Sequence, residues 1–314
     1  MKFCRYQVTS GELRVGVIGD DVVHELEGVD DLVELFDAGG AMLKDVGRRS
    51  LRRNDNVTPM EGLEFLSPLR DPPTVRDFYG FENHAKAGRA WRGLEMDPLW
   101  YEQPVFYFSS PYAVKGEGDI PIAPGSTQFD YELEVAAIIG VAGTNVGPIA
   151  GEELIVGFCI MNDWSARDIQ QHEMRLSMGP VKGKDTATSL GPWLVTKDEL
   201  DDVREGTGYR LEMTCQVNGR PYSKALWSDV YWSFGEMVAY AARGSEVRPG
   251  DILGSGTCGT GCILELSNTS SAGTYPWLKP GDDVVASVER LGSLRNHIVR
   301  GAPLIPLRNS MAGP

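Results

Sequence analysis

The segment that most constrains the fold is 128–140, Gln-Phe-Asp-Tyr-Glu-Leu-Glu-Val-Ala-Ala-Ile-Ile-Gly. Its second half is apolar and rich in β-branched residues, the composition of a buried strand. Its first half alternates, and strand side chains alternate between faces, so Asp130, Glu132 and Glu134 share one face, neighbours roughly 7 Å apart. Three like charges entering an apolar strand repel one another and resist desolvation unless water or a cation meets them. Two arrangements satisfy that condition: the solvated outer face of an edge strand, or a site for a hard metal ion.

Other features narrow what such a strand can serve. At 314 residues the chain can form one large domain, or a large and a small one. A formal net charge of −14 argues against nucleic acid and an anionic membrane surface as partners. A local cation or lysine can still draw an anionic small substrate into one pocket. No apolar run reaches the length of a membrane span, and the opening Met-Lys-Phe-Cys-Arg-Tyr has no apolar signal core, so a cytoplasmic location is expected. The five cysteines, Cys4, Cys159, Cys215, Cys258 and Cys262, are odd in number and scattered, which argues against a disulfide framework. Cys258 and Cys262 lack zinc-knuckle spacing and read as structural.

Residues 1–69 read as a small N-terminal α+β unit. Two strands, 13–19 and 21–26, flank a Gly-Asp-Asp turn. An amphipathic helix follows, capped by Asp30 or Asp31, with Leu32, Leu35 and Phe36 inward and Gly39-Gly40 as its stop. Arg48, Arg49, Arg52 and Arg53 read as a solvated helix face. Ser67-Pro-Leu-Arg-Asp-Pro-Pro is the linker, since proline halts ladders and helices alike. In residues 70–314, a helix or mobile segment leads from Arg76 to Trp91. Two helices, Trp164 to about Met174 and Phe234 to about Arg243, then interrupt short strands. The expected class is mainly β with a few helices (α+β): a mixed β-sandwich roll carrying the chemistry, with the small N-terminal unit beside it.

Three motifs within the larger part could carry chemistry. The strand 155–161 runs into Asn162-Asp163, where Asp163 can cap the following helix or offer a carboxylate at a strand end. Read on that helix, Asp163, Arg167 and Gln170 share a face. Gly179-Pro-Val-Lys-Gly-Lys-Asp-Thr fails the phosphate-loop pattern, which makes a nucleotide site improbable. It leaves Lys184 as a point charge and Thr188 as a hydroxyl, in an exposed loop or a site.

These pieces, in this order, resemble the fumarylacetoacetate hydrolase family. The resemblance rests on Asp77-Phe-Tyr with His84 seven residues on, Tyr131-Glu-Leu-Glu, Met161-Asn-Asp-Trp-Ser-Ala-Arg-Asp-Ile-Gln and Gly183-Lys184. Arg248-Pro-Gly-Asp-Ile-Leu-Gly-Ser-Gly-Thr257 and Leu264-Glu265-Leu extend it, over about residues 68 to 300. It implies a β-roll catalytic domain, a divalent cation and a homodimer. Carried over residue by residue, it implies Asp77, Glu132, Glu134 and Asp163 as metal ligands, with Thr188 beside the metal. It implies His84, Glu265 and Lys184 as catalytic, and Tyr107, Arg167, Gln170 and Thr257 as substrate-binding. The stretch from Thr257 to Glu265 is short for the family, and Arg89 and Arg92 compete for the arginine that follows the histidine.

Carboxylate ligation suits Mg²⁺ foremost, with Ca²⁺ or Mn²⁺ as alternatives, rather than zinc or copper. Such an ion can grip the paired oxygens of a 1,3-diketo acid. His84 held by Glu265 can take a proton from water, and hydroxide attack then breaks a C–C bond whose departing carbon is an enolate. The expected function is hydrolysis of a fumarylacetoacetate-like or acylpyruvate-like diketo acid. The rivals are an isomerase, hydratase or decarboxylase at the same metal site, a glycosidase using Glu132 and Glu134, and a non-catalytic metal-binding protein.

Overall fold

The computed structural model describes residues 1–37, 40–53 and 56–307. Gly39, half of the expected helix stop, lies outside the described residues. Leu133–Ile139 is buried along its whole length and lies inside a sheet, between Ile155–Asp163 and Ile252–Gly254. The acidic segment therefore does not lead into a solvated edge. An interior strand is apolar where both of its faces meet packed cores, which accounts for the uninterrupted run from Val135 to Ile139.

From one edge of this twelve-stranded sheet the order is Val57–Pro59, Val22–Glu25, Leu13–Gly19, Lys2–Gln7, Thr188–Thr196, Ile155–Asp163, Leu133–Ile139, Ile252–Gly254, Val75–Phe78 and Phe106–Ser109. Glu64–Leu66 and Val114–Lys115 pair at its side. Most pairs are antiparallel, but Ile252–Gly254 runs parallel to Val75–Phe78. Lys2–Gln7 of the N-terminal region joins the sheet by pairing Lys2 and Phe3 with Val195 and Leu194.

The pleat sorts each central strand between two cores. Leu133, Val135, Ala137 and Ile139 face one core with Phe158 and Ile160. There they meet a five-stranded sheet ordered Arg220–Leu226, Glu212–Val217, Asp283–Val288, Gly292–Val299 and Gly118–Pro121, through Met213, Cys215, Ala286 and Leu294. Ala136 and Ile138 face the other core with Cys159, Met161, Leu190, Leu194 and Val75. The result is mainly β with mixed sheets and a minority of helix. Among the described residues, no helix is long and apolar enough to cross a membrane.

The structure departs from several expectations about local structure. Asp163 does not cap a helix: it ends the strand Ile155–Asp163, opposite Thr188, and the helix starts at Arg167 after Ala166. Asp163, Arg167 and Gln170 are therefore not three positions on one helix, because pairing with Thr188–Thr196 keeps the chain extended through Asp163. Helices also interrupt the later strands at Pro148–Glu153 and Ile263–Thr269, where none were expected. Six and seven residues are too few for a helical period to stand out. Asp31 caps a short 3-10 turn, Leu32–Leu35, rather than a longer helix. Phe234–Ala241 is a helix as expected, held at its start by the reciprocal capping box of Ser233 and Glu236.

Phe158 is fully buried against the rings of Tyr209, Trp227 and Phe234. Phe158→Ala is expected to cost about 3–5 kcal/mol through lost burial and an unfilled cavity. Urea unfolding with an unchanged midpoint would contradict this packing.

Candidate active site

One sheet face is apolar at one end and acidic at the other. Asp77 continues the face of Val75, Glu134 that of Ala136 and Ile138, Asp163 that of Cys159 and Met161, and Thr188 that of Leu190 and Leu194. Asp163 and Thr188 are direct cross-strand partners. Gly254 stands between Asp77 on one neighbouring strand and Ala136 on the other. A Cβ on Gly254 would lie 2.7 Å from Asp77 Oδ1 and 3.0 Å from Glu134 Oε2, so any side chain would intrude on both carboxylates. Gly254 lies within the motif Arg248–Thr257, and its role shows only once the three strands are paired.

Carboxylate oxygens of Asp77, Glu132 and Glu134 all lie within 4.8 Å of one another. Asp163 adjoins them through shared partners. Lys184 Nζ bonds Asp163 Oδ2 at 2.6 Å and also contacts Glu132 Oε2. Tyr107 Oη lies 2.7 Å from Asp77 Oδ2 and also contacts Asp163 Oδ2, so Tyr107 is wedged between two of the carboxylates. Thr257 Oγ1 is 3.3 Å from Glu134 Oε1, and the backbone N–H of Gly256 donates to Glu134 Oε2 at 3.1 Å.

Asp130, the first member of the alternating run, turns away from this group. It bonds Arg167 Nε at 2.8 Å and accepts backbone N–H groups of Ile263 and Leu264 at 2.7 and 3.1 Å. The same Arg167 places Nη2 2.8 Å from Glu132 Oε1 and donates from Nη1 to Gln170 Oε1 at 3.1 Å. Arg167 thus links the carboxylate cluster to the start of Ile263–Thr269, the helix that carries Glu265. Lys184 is buried rather than exposed in its loop.

The charges do not balance. Five buried carboxylates, Asp77, Asp130, Glu132, Glu134 and Asp163, face two buried cations, Arg167 and Lys184, leaving three negative charges without a fixed partner. Burial, then the charges of Asp77, Glu132 and Asp163, pushes the Glu134 carboxyl well above its usual range. Burial also raises Asp163 and Asp77, against the pull of Lys184. Glu132 goes the other way: burial would raise it, but Lys184, Arg167 and His84 outweigh that and hold its carboxyl well below. Asp77 Oδ1, Asp163 Oδ1 and Thr188 Oγ1 are buried without a hydrogen-bond partner. Unpaired buried oxygens beside surplus negative charge are what a hard divalent cation would satisfy, so the residues fit one.

A second group stands beside the first. His84, near the start of the helix Glu82–Trp91, sets Nδ1 against Glu265 Oε1, and Glu265 Oε2 accepts the backbone N–H of Thr260 at 2.8 Å. The Tyr79 ring stands edge-on to the imidazole, with centroids 5.5 Å apart. His84 Nε2 lies 3.9 Å from Glu132 Oε1. Both groups open on a cavity of 620 Å³, whose walls include Tyr107, Arg167, Gln170, Lys184 and Thr257. Arg92 lines it and has no carboxylate partner among the described residues, whereas Arg89 is engaged with the carbonyl of Glu95 and the carboxylate of Asp97.

The family model described as fumarylacetoacetate (FAA) hydrolase, C-terminal, matches residues 74–299. A fumarylacetoacetase of Arabidopsis thaliana is 30% identical over 268 residues, 67% of this chain and 63% of its own length. The match therefore spans less than two thirds of that relative. A maleylpyruvate hydrolase of Aquipseudomonas alcaligenes is 27% identical across 94% of this chain and 98% of its own. An oxaloacetate tautomerase of Bacillus subtilis is 30% identical across 63% of this chain and 62% of its own. Among solved structures, a fumarylacetoacetate hydrolase from Exiguobacterium antarcticum superposes with a TM-score of 0.73 at 25% identity, covering 96% of this chain and 99% of that one. A family model matched over most of the chain, and relatives in step with it, lead to one conclusion: this chain belongs to the fumarylacetoacetate hydrolase family.

Proposed function

We propose that the chain is a metal-dependent hydrolase that breaks a C–C bond in a 1,3-diketo acid, fumarylacetoacetate-like or acylpyruvate-like. The observation that carries the reading is a histidine–carboxylate pair beside a buried surplus of carboxylate charge, both opening on one cavity. Asp77, Glu132, Glu134 and Asp163, with Thr188 alongside, would hold a divalent cation, Mg²⁺ foremost and Ca²⁺ or Mn²⁺ as alternatives. When bound, it supplies Lewis-acid charge to paired substrate oxygens.

The chain's own residues account for the proton transfers. Glu265 against Nδ1 holds His84 in the tautomer whose Nε2 lone pair is free, on the side facing Glu132. Nε2 takes a proton from water, and the hydroxide adds to the distal carbonyl carbon. The C–C bond then breaks, its electron pair leaves with the departing carbon as an enolate, and His84 returns the proton to that carbon. The Lys184 ammonium, fixed between Glu132 and Asp163, faces the developing enolate charge. Arg167 and Gln170 form the adjoining wall, Tyr107 and Thr257 brace the carboxylates, and Arg92, without a carboxylate partner among the described residues, would receive a remote substrate carboxylate. A homodimer belongs to the same proposal, with light scattering as its test.

A second reading, keto–enol tautomerisation of an oxo-acid, draws on the tautomerase relative and needs only proton transfer by His84. A screen of diketo acids with Mg²⁺, following loss of enol absorbance and then product mass, separates the two. Two fragments that together carry one added water support hydrolysis; absorbance loss at constant mass supports tautomerisation.

His84→Ala is expected to fold and bind Mg²⁺ but to lose about two to four orders of magnitude in turnover. Full activity would remove the base assignment. Glu132→Ala should abolish Mg²⁺ binding by calorimetry, and unchanged affinity would contradict its place in the ligand set. In cation-free protein, the raised carboxyls of Glu134, Asp163 and Asp77 retain protons in the folded state that the unfolded chain releases. Their contribution to stability is complete below the unfolded carboxylate range and is lost as pH rises through the higher folded values. The melting temperature in chelator should therefore fall as pH rises above the ordinary carboxylate range, and excess Mg²⁺ should flatten that fall. A chelated protein whose melting temperature climbs over this range would refute the charge argument.

A further inference from the structure

Beside the hard carboxylate group lies a softer set of donors. His84, Cys262 and Glu265 each offer one ligand atom, all within 4.8 Å of one another and all buried. Cys262 Sγ lies 3.9 Å from Glu265 Oε1, and Cys262 precedes the helix Ile263–Thr269 without making a side-chain capping bond. Its thiol is therefore turned toward the dyad and committed to no backbone donor. Tetrahedral zinc, with bonds of about 2.0–2.3 Å, sets its ligands roughly 3.3–3.7 Å apart; Cys262 Sγ stands close to that spacing from Glu265, and the imidazole must part from Glu265 to admit the ion. Thiolate and imidazole favour Zn²⁺ or Cd²⁺, whereas an all-carboxylate set favours Mg²⁺ or Ca²⁺. The two sets differ in hardness and meet where His84 Nε2 faces Glu132 Oε1 across 3.9 Å.

We propose that His84, Cys262 and Glu265 form a second cation site, for Zn²⁺ or Cd²⁺, whose occupation switches off the histidine–carboxylate pair. On binding, Cys262 gives up its thiol proton to the buffer, and the proton on His84 Nδ1 moves to Nε2, which frees Nδ1 for the ion and occupies the lone pair that the base uses. The ion takes the place between the imidazole and Glu265 and ends their direct contact. His84 borders the main cavity, so the ion can arrive by the same opening as substrate. Burial and the charges of Asp130 and Glu265 keep the free thiol protonated, so in the absence of a soft cation Cys262 leaves the pair undisturbed.

The test has two arms. Binding is read without activity, by titrating Mg²⁺-saturated protein with CdCl₂ and following the ultraviolet thiolate-to-cadmium charge-transfer band. One equivalent should develop the band in the parent and, titrated without Mg²⁺, in Glu132→Ala, and none should develop in Cys262→Ser or Cys262→Ala. Two cysteine variants are used so that one folding failure does not end the test. No band in the parent, or a band that survives in both cysteine variants, overturns the site. The second arm rests on the proposed role of His84. ZnCl₂ added to Mg²⁺-saturated enzyme should lower turnover about a hundredfold or more, while Cys262→Ser keeps parental turnover and resists the loss. Equal inhibition of both proteins would place the zinc effect elsewhere and overturn the switch. The cadmium band stands or falls whatever substrate is assayed, so failure of the site and failure of the hydrolase reading can be told apart.

Discussion

The structure is governed by a charge imbalance that the protein's own buried cations do not relieve. Glu134 and Asp163 sit on interior strands, and a carboxylate there loses its hydration when the sheet forms. Arg167 and Lys184 compensate part of the charge, and their geometry matters as much as their sign. Arg167 reaches Asp130 and Glu132 at once, and Lys184 reaches Glu132 and Asp163. What these two cations leave over is concentrated on Asp77, Glu134 and Asp163, whose carboxyls are the ones pushed upward. Buried pairs of this kind contribute little net stability, so the cluster is better explained by chemistry than by folding.

The sheet makes the cluster possible because one face serves two purposes. Toward one end, Ala136, Ile138, Cys159 and Leu194 are packed and dry. Toward the other, the same alternation brings Asp77, Glu134, Asp163 and Thr188 into one acidic patch. Gly254 keeps the space between two of those strands open. The dyad comes from helices outside the sheet, and Asp130 joins the two parts by accepting backbone N–H groups from the helix that carries Glu265. Movement of that helix relative to the carboxylates would break the bonds to Asp130. This linkage explains why a residue of the acidic run is spent on support.

Family membership does not choose among the reactions proposed for this site, and the makeup of the site explains that breadth. A base, a set of carboxylates and a fixed lysine can move a proton with or without the addition of water. The outcome then depends on whether water reaches the carbonyl and on which carbonyl the cavity walls present. Those walls include Trp91, Arg92, Val105, Phe108 and Met178, which differ in character from the acidic floor.

Much of this was legible in the chain. Acids entering an apolar run mark Glu132 and Glu134 as charges whose burial needs compensation, but the face expected to be shared with Asp130 is not kept: Asp130 pairs opposite Ser165 in a separate ladder and turns to Arg167. The resemblance to the fumarylacetoacetate hydrolase family implied His84, Glu265, Lys184 and the remaining acids as one group. Other decisions lay beyond any local window. Asp163 reads as a helix cap until Thr188, 25 residues on, pairs with it and keeps it extended. The short helix under Glu265 has too few residues to show a period. Arg89 and Arg92 are equivalent in sequence, and only the carbonyl of Glu95 and the carboxylate of Asp97 distinguish them by occupying one. Local sequence determines which residues carry charge and which face of a strand they share, because periodicity is a property of neighbours. Which charges meet, and which are left over, is decided by tertiary structure, because electrostatic energy depends on distances that only the packed sheets and helices set.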